Sequence, residues 1–234
     1  MADGRGAPDA ASRQQASWEP NAAAWTAAVR AGAIASRRRG TDAAIVAACA
    51  AAPGLRVLDV GCGEGWLSRA LAEAGASVLG VDASRPLIDA AAAAGGARFA
   101  VASYATLVAD PSVAAGPFDL VVCNFALLDE DLVPLLASLA RRLAPTGRLV
   151  IQTVHPVVAA GEAGYVEGWR EETFAGFGEG FAAPMPWYFR RLSGWFAAIG
   201  AAGLAVSSLE EPQAADGSVL SLLLTCRGAG DASG

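Results

Sequence analysis

The chain has 234 residues, 54% of them hydrophobic and 17% charged, with a net charge of −6 and a pI of about 4.8. That length fits one α/β domain with a modest appendage, and the composition provides a large core, although much of it is alanine, which buries little area per residue. The acidic balance argues against a general nucleic-acid surface, which needs a basic field to displace counterions. Cys49, Cys62, Cys123 and Cys226 form no C-x-x-C pair, and with a single histidine they make no metal-ligand cluster, so no metal is expected. A reduced, cytoplasmic setting follows. No apolar stretch free of charges and glycine turns approaches membrane-spanning length, so no membrane partner is expected.

Residues 1–20 lack the apolar core of a signal peptide and read as a disordered tail. A helix is expected from Asn21, as N-cap, to Arg38, with Trp25 and Val29 on one face and Gly40 as its stop. A second helix runs from Thr41 or Asp42 through Ala51 and ends at Pro53–Gly54. Together, residues 21–52 read as a helical cover that precedes a core over 53–228. Trp18, Trp25, Arg30 and Arg37 have two readings: packing anchors with a solvated helix end, or groups that reach into a site.

The stretch from Val57 to Ser84 organises the rest. A short apolar run, a glycine-rich turn, an amphipathic segment starting near Glu64 or Gly65 and a second apolar run, Ser77 to Val81, make a strand–turn–helix–strand unit. Gly61, Gly63 and Gly65 let the backbone turn sharply and lie against a ligand where a Cβ would collide. The free N–H groups of the following helix face the same point. Asp82, closing the second strand, is placed to accept hydrogen bonds from a pair of ribose hydroxyls.

Ser84 and Pro86 open a short helix to Ala94, ended by Gly95–Gly96. Arg98 to Ala102 reads as a third strand finishing at Ser103–Tyr104. Phe118 to Asn124 is a continuous apolar run, as suits a fourth strand covered on both faces. Asp129, Glu130 and Asp131 read as caps of a helix to Leu143, and Pro145–Gly147 turns into a fifth strand, Arg148 to Val154. At His155–Pro156 the regular pattern breaks. Residues 157–189 are irregular yet rich in large rings, among them Tyr165, Trp169, Phe174, Phe177, Trp187 and Tyr188. Long irregular segments in compact domains tend to be functional or disordered, and these rings speak against disorder. The insertion at about 156–190 is therefore read as the cover of an acceptor pocket. A helix over Ser193–Ala202 and strands over Leu204–Leu209 and Val219–Cys226 complete the chain.

The run DVGCGEG, with Asp59, Gly61, Gly63 and Gly65 in place, resembles the first motif of the class I S-adenosylmethionine-dependent methyltransferases, D-x-G-x-G-x-G, in their small-molecule branch. Asp82 matches the family's acidic residue after the second strand. A nicotinamide or flavin fingerprint would read G-x-G-x-x-G, but Trp66 stands at its third glycine. The chain also has no lysine, and so no Tyr-x-x-x-Lys pair.

The resemblance implies an α/β, Rossmann-like, seven-stranded and mostly parallel sheet, the last strand antiparallel, with helices on both faces and the N-terminal helical cover. It implies S-adenosyl-L-methionine as cofactor, held by Asp59, Gly61, Cys62, Gly63, Gly65, Asp82, Ala83, Ser103, Tyr104, Asn124 and Phe125, with Arg37 toward its carboxylate. Ser103 stands where relatives often carry an acidic residue against the adenine, and Tyr104 is read equally as a ring contact or as strand-end packing.

The acceptor side is expected from Trp18, Trp25, His155, Trp169, Trp187, Tyr188 and Arg190. His155, the one histidine, is the candidate catalytic base, or else a structural hydrogen-bonder at a strand end. The expected function is methyl transfer, by in-line displacement, to an O or N atom of a small aromatic or apolar metabolite, as in secondary metabolism. The alternative is a protein of the same fold that binds the cofactor without transferring methyl. The partner is a small molecule rather than nucleic acid, and the oligomeric state is left open between monomer and homodimer.

Overall fold

The computed structural model describes residues 10–231. Among them the chain forms strands β1 (Arg56–Val60), β2 (Ser77–Asp82), β3 (Arg98–Val101), β4 (Phe118–Asn124), β5 (Leu143–Thr153), β6 (Gly168–Glu172), β7 (Met185–Phe189), β8 (Leu204–Glu210) and β9 (Leu222–Gly228). Its helices are α1 (Ala10–Arg30), α2 (Asp42–Cys49), α3 (Trp66–Glu73), α4 (Arg85–Ala94), α5 (Tyr104–Ala109), α6 (Val133–Ala140), α7 (Pro156–Ala160) and α8 (Leu192–Ala201). Seven strands make one sheet in the order β3-β2-β1-β4-β5-β9-β8. Pairing is parallel from β3 to β5, and β9 runs antiparallel to both β5 and β8. This is the Rossmann-like arrangement, with the last strand reversed.

The central strands are apolar at nearly every position because successive side chains point to opposite faces and both faces are covered. Val57, Leu120, Val122, Val150 and Leu223 pack with Ile45 and Cys49 of α2 and Leu67 and Leu71 of α3. Their neighbours Leu58, Val60, Val121, Cys123, Leu149, Ile151 and Leu224 pack on the other side with α5, α6 and Trp195 of α8. Chain order reverses between β1, which leads to β2, and β4 on its other edge. In an open α/β sheet the ligand crevice lies outside the strands' carboxyl ends at that reversal.

Four expectations need correction. Residues 10–20 are not a tail, since α1 begins at Ala10 and includes Pro20; residues 1–9 of the expected tail lie outside the described residues. Asn21 is not an N-cap but a fully buried residue inside α1, which ends before Gly32 (φ +62°) rather than at Gly40. Tertiary bonds made by Asn21 override the local signal, because its Oδ1 accepts from the N–H groups of Ala182 and Ala183 and its Nδ2 donates to the Ala183 carbonyl. The segment 157–189 is not irregular throughout, since it folds α7 and an antiparallel β6–β7 hairpin. Finally, β5 begins at Leu143, and residues 144–147 are a bulge between the pairs Phe118–Leu143 and Leu120–Arg148.

Candidate active site

Beyond the ends of β1 and β4 the glycine turn closes on itself. The N–H groups of Gly61 and Cys62 both donate to the Val81 carbonyl, at 2.8 and 3.0 Å, which ties the turn to the end of β2. Gly61 has φ +72°, and a Cβ there would lie 2.4 Å from that of Ala126, so only glycine fits between β1 and the loop after β4. Asp82 receives the Gly63 N–H on Oδ2 at 2.9 Å and the Ser84 N–H on Oδ1 at 2.8 Å. Burial pushes its carboxyl above the usual range, against these donors. Asp59, 1% exposed, takes the Ser68 hydroxyl at 2.6 Å. Burial raises its pKa to about 7; the Ser68 donor opposes this and the Asp82 charge adds to it.

A cover closes over this turn. Trp18 and Trp25 of α1 meet edge-on at 5.3 Å, and Trp18 meets Phe174 at 6.1 Å. Phe174, 2% exposed and at φ +60°, stacks on Phe181 at 4.4 Å. Glu64, buried in the turn, ties α1 down. Its carboxylate accepts from Arg30 at 2.9 Å and from Arg69 at 2.8 Å, while Arg30 also donates to the Ala90 carbonyl of α4. Between turn and cover lies a cavity of about 490 Å3, within the range of small-molecule sites.

The comparisons with known proteins bear on what fills that cavity. A family model described as a methyltransferase domain matches residues 57–147. A crystal structure of an S-adenosylmethionine-dependent methyltransferase from Mesorhizobium loti superposes with a TM-score of 0.62 at 25% identity, covering 79% of this chain and 96% of that one. Residues 57–147 thus match a methyltransferase domain, and the chain has the fold of S-adenosylmethionine-dependent methyltransferases. Two further structures are alike in fold. Magnesium protoporphyrin IX methyltransferase from Synechocystis, crystallised with S-adenosylmethionine, gives a TM-score of 0.64 at 19% identity over 96% of this chain and 100% of that one. A chain of the complex between the Haloferax volcanii Trm112 methyltransferase activator and its methyltransferase gives 0.66 at 19% over 89% and 98%. A search of curated proteins returns no match.

In this chain the cavity is lined by Asp59, Gly61, Cys62, Gly63, Asp82, Ala83, Ser103, Tyr104, Asn124, Phe125 and Arg37. Gly65 is not among them. Its φ is +85°, and a Cβ would sit 2.7 Å from Phe99 and 3.0 Å from Ala91, so its smallness serves packing between elements. Ser103 caps α5 by accepting the Thr106 N–H, and the Tyr104 hydroxyl donates to the Ala126 carbonyl. Asn124 brings a buried Oδ1 that has no hydrogen-bond partner among the described residues. Phe125 sits at φ +51°, a left-handed conformation of the kind that concentrates at functional sites. Arg37, which lines the cavity, lies 4.4 Å over the Trp66 ring while its Nε donates to Asp42 at 2.9 Å.

Of the expected acceptor residues, Trp18, Trp25 and Trp187 line the cavity; His155, Trp169, Tyr188 and Arg190 do not. His155 is buried, with Nε2 2.8 Å from Glu211 of the loop between β8 and β9. That geometry favours the structural reading of His155 over the catalytic one. Trp169 donates from Nε1 to Glu130 at 3.1 Å. Tyr188 packs edge-on against Trp169, its backbone N–H held by the Leu128 carbonyl at 2.8 Å. Arg190 is buried and donates to the carbonyls of Asp129 and Glu130.

Sequence reasoning did not assign Phe174, Phe177, Met185, Asp129 or Glu172 to the site, yet all five line it. The rings are visible in the sequence as part of the insertion. Asp129 reads there as a helix cap, and Glu172 carries no signal beyond its place among the aromatics. Among the described residues, no group of three or more His, Cys, Asp or Glu side chains is placed to hold a metal ion, and no helix is long and apolar enough to cross a membrane.

Proposed function

We propose that the enzyme methylates an O or N atom of a small, flat or apolar molecule held under the aromatic cover. The observation that carries this reading is the covered cavity of about 490 Å3, which reaches from the glycine turn to Trp18, Phe174, Phe177 and Trp187. S-adenosylmethionine supplies a methyl group already activated on a sulfonium, so the chain's work is to align the acceptor and exclude water. Asp82 is assigned to the ribose hydroxyls, the turn from Gly61 to Gly63 to the methionine end, and Arg37 to the carboxylate through its free guanidinium edge. The unpartnered Asn124 Oδ1 offers an acceptor that a bound cofactor would satisfy. Asp59, locked to Ser68, holds β1 and α3 in register behind the turn. The rings of Phe125 and Trp18 would stabilise positive charge at the sulfonium by cation–π attraction.

The test is incubation of the purified protein with methyl-labelled cofactor and separate small-molecule, RNA and protein fractions of an extract. Label in the small-molecule fraction is expected. Label confined to RNA or protein would overturn the reading.

A further inference from the structure

We infer that the methyl acceptor carries a carboxamide or lactam edge, and that the Gln14 side chain reads it. The inference rests on the proposed reading of the cavity as a methyl-transfer site and narrows its substrate class. Gln14 stands in the first turns of α1, in the stretch that reads from the sequence as a tail. It is 7% exposed and lines the cavity.

The inward face of α1 buries three polar side chains, Gln14, Ser17 and Asn21, at the three- and four-residue spacing of one helical face. Two of them are satisfied within the protein. Ser17 donates from Oγ to the Gln14 carbonyl at 2.8 Å. The Asn21 amide donates to the Ala183 carbonyl and accepts from the N–H groups of Ala182 and Ala183. The Gln14 amide makes no hydrogen bond among the described residues, through either Oε1 or Nε2. Buried polar groups in folded proteins are paired with protein, water or ligand. Gln14 therefore takes its partner from the cavity that it lines.

Its place on α1 assigns it to the acceptor. Trp25 marks the cofactor end of the helix, because a Cβ on Gly63 would lie 3.4 Å from the indole Nε1. Gln14 is about 16 Å back along α1 from there, by the helical rise per residue. Trp18, one turn after Gln14 on the same face, meets Phe174 at 6.1 Å. The same helix packs along β7, whose Met185 and Trp187 line the cavity. The amide thus belongs to the aromatic cover and not to the glycine turn.

An unpaired amide selects by hydrogen-bonding pattern. With Oε1 accepting and Nε2 donating, it matches a ligand edge that donates and accepts side by side, as a carboxamide or lactam does. An apolar acceptor strips water from the amide without replacing its bonds, and so loses affinity. A ketone accepts from Nε2 but leaves Oε1 unpaired, at the desolvation cost of a buried acceptor. The rings of the cover supply contact area for any flat body, and Gln14 chooses among flat bodies.

The test is calorimetric binding of benzamide and of acetophenone, which keeps the ring and the carbonyl but has no N–H, to the full chain saturated with S-adenosylhomocysteine. Benzamide is expected to bind at least about tenfold more tightly. Gln14→Met, of similar length and without the amide, should abolish that preference with S-adenosylhomocysteine affinity unchanged, and Gln14→Leu should do the same. If Gln14 only packed, both probes would weaken together and their ratio would stay. Equal binding of the two probes by the wild-type chain, no binding of benzamide, or a ratio that survives in both variants would overturn the inference. So would a loss of S-adenosylhomocysteine affinity in the variants, which would place the amide on the cofactor. Failure of the wild-type chain to bind S-adenosylhomocysteine would instead sink the underlying site reading, so the two failures are told apart.

Discussion

Asp59 is the side chain with most at stake in the cradle. It is 1% exposed, its pKa is raised to about 7, and Ser68 bonds its carboxylate through the hydroxyl at 2.6 Å. A carboxyl whose folded pKa lies above its unfolded value binds more protons folded than unfolded, so its contribution is complete below the unfolded pKa, near 4, and is lost as pH rises through about 7. Asp59→Asn keeps an acceptor for Ser68 without that ionisation. The variant without ligand is therefore expected to melt above wild type at about pH 8, and the gap should close toward about pH 4. Thermal melts of both proteins across this range check it, and a gap independent of pH would show that folding does not raise the Asp59 pKa. His155 carries a second expectation at the same scale. Its ring is bonded to Glu211 and lies off the cavity lining, so His155→Ala should leave turnover within about twofold while lowering the melting temperature. A large loss of turnover at unchanged stability would return the ring to the chemistry.

Among the elements, the βαβ unit is legible in the amino-acid sequence because its signals are local. Three glycines, an acidic strand end and an apolar run of strand length leave few alternatives, and Phe118–Asn124 is bounded to the residue for the same reason. The cover is not legible in this way. The extension of α1 back to Ala10 depends on what Asn21, Trp18 and Trp25 touch more than 150 residues away, and a single sequence prints no such contact. The β6–β7 hairpin is hidden by the glycine content around it, since its strands are held by pairing and by Asn21 more than by alternation. Asn21→Ala tests that fastening. It removes the bonds to Ala182 and Ala183, at a cost of about 1–3 kcal/mol, reduced where the exposed Ala182 rehydrates. The expected result is a melting temperature lower by several degrees and faster proteolysis within 173–184, with the sheet's circular dichroism intact. Unchanged proteolysis there would mean that the rings alone hold the insertion.

On the scale of the whole molecule, the core and the cover are built on different terms. The sheet buries its two apolar faces against its own helices. The cover is a separate cluster in which Ala28, Val29 and Ile34 pack with Trp25, Trp66, Phe177 and Phe181, fastened at its edge through Arg30 and Glu64. Since the cavity lies between them, ligand binding should depend on both, and folding of the sheet mainly on the first. Deletion of residues 1–32 is therefore expected to leave a cooperative thermal transition, because neither face of the sheet is uncovered. The same deletion strips Trp18 and Trp25 from the cavity and uncovers the Phe174 ring. The truncated chain should bind a hydrophobic dye that the full chain does not. It should also lose most of the stabilisation that saturating S-adenosylhomocysteine gives the full chain, about 2.7 kcal/mol at a hundredfold excess over Kd. A truncated chain that keeps the full ligand-induced shift would mean that the cofactor is held by the glycine turn and Asp82 alone, and that the cover serves only the acceptor. One that loses its cooperative transition would mean that core and cover fold as a single unit.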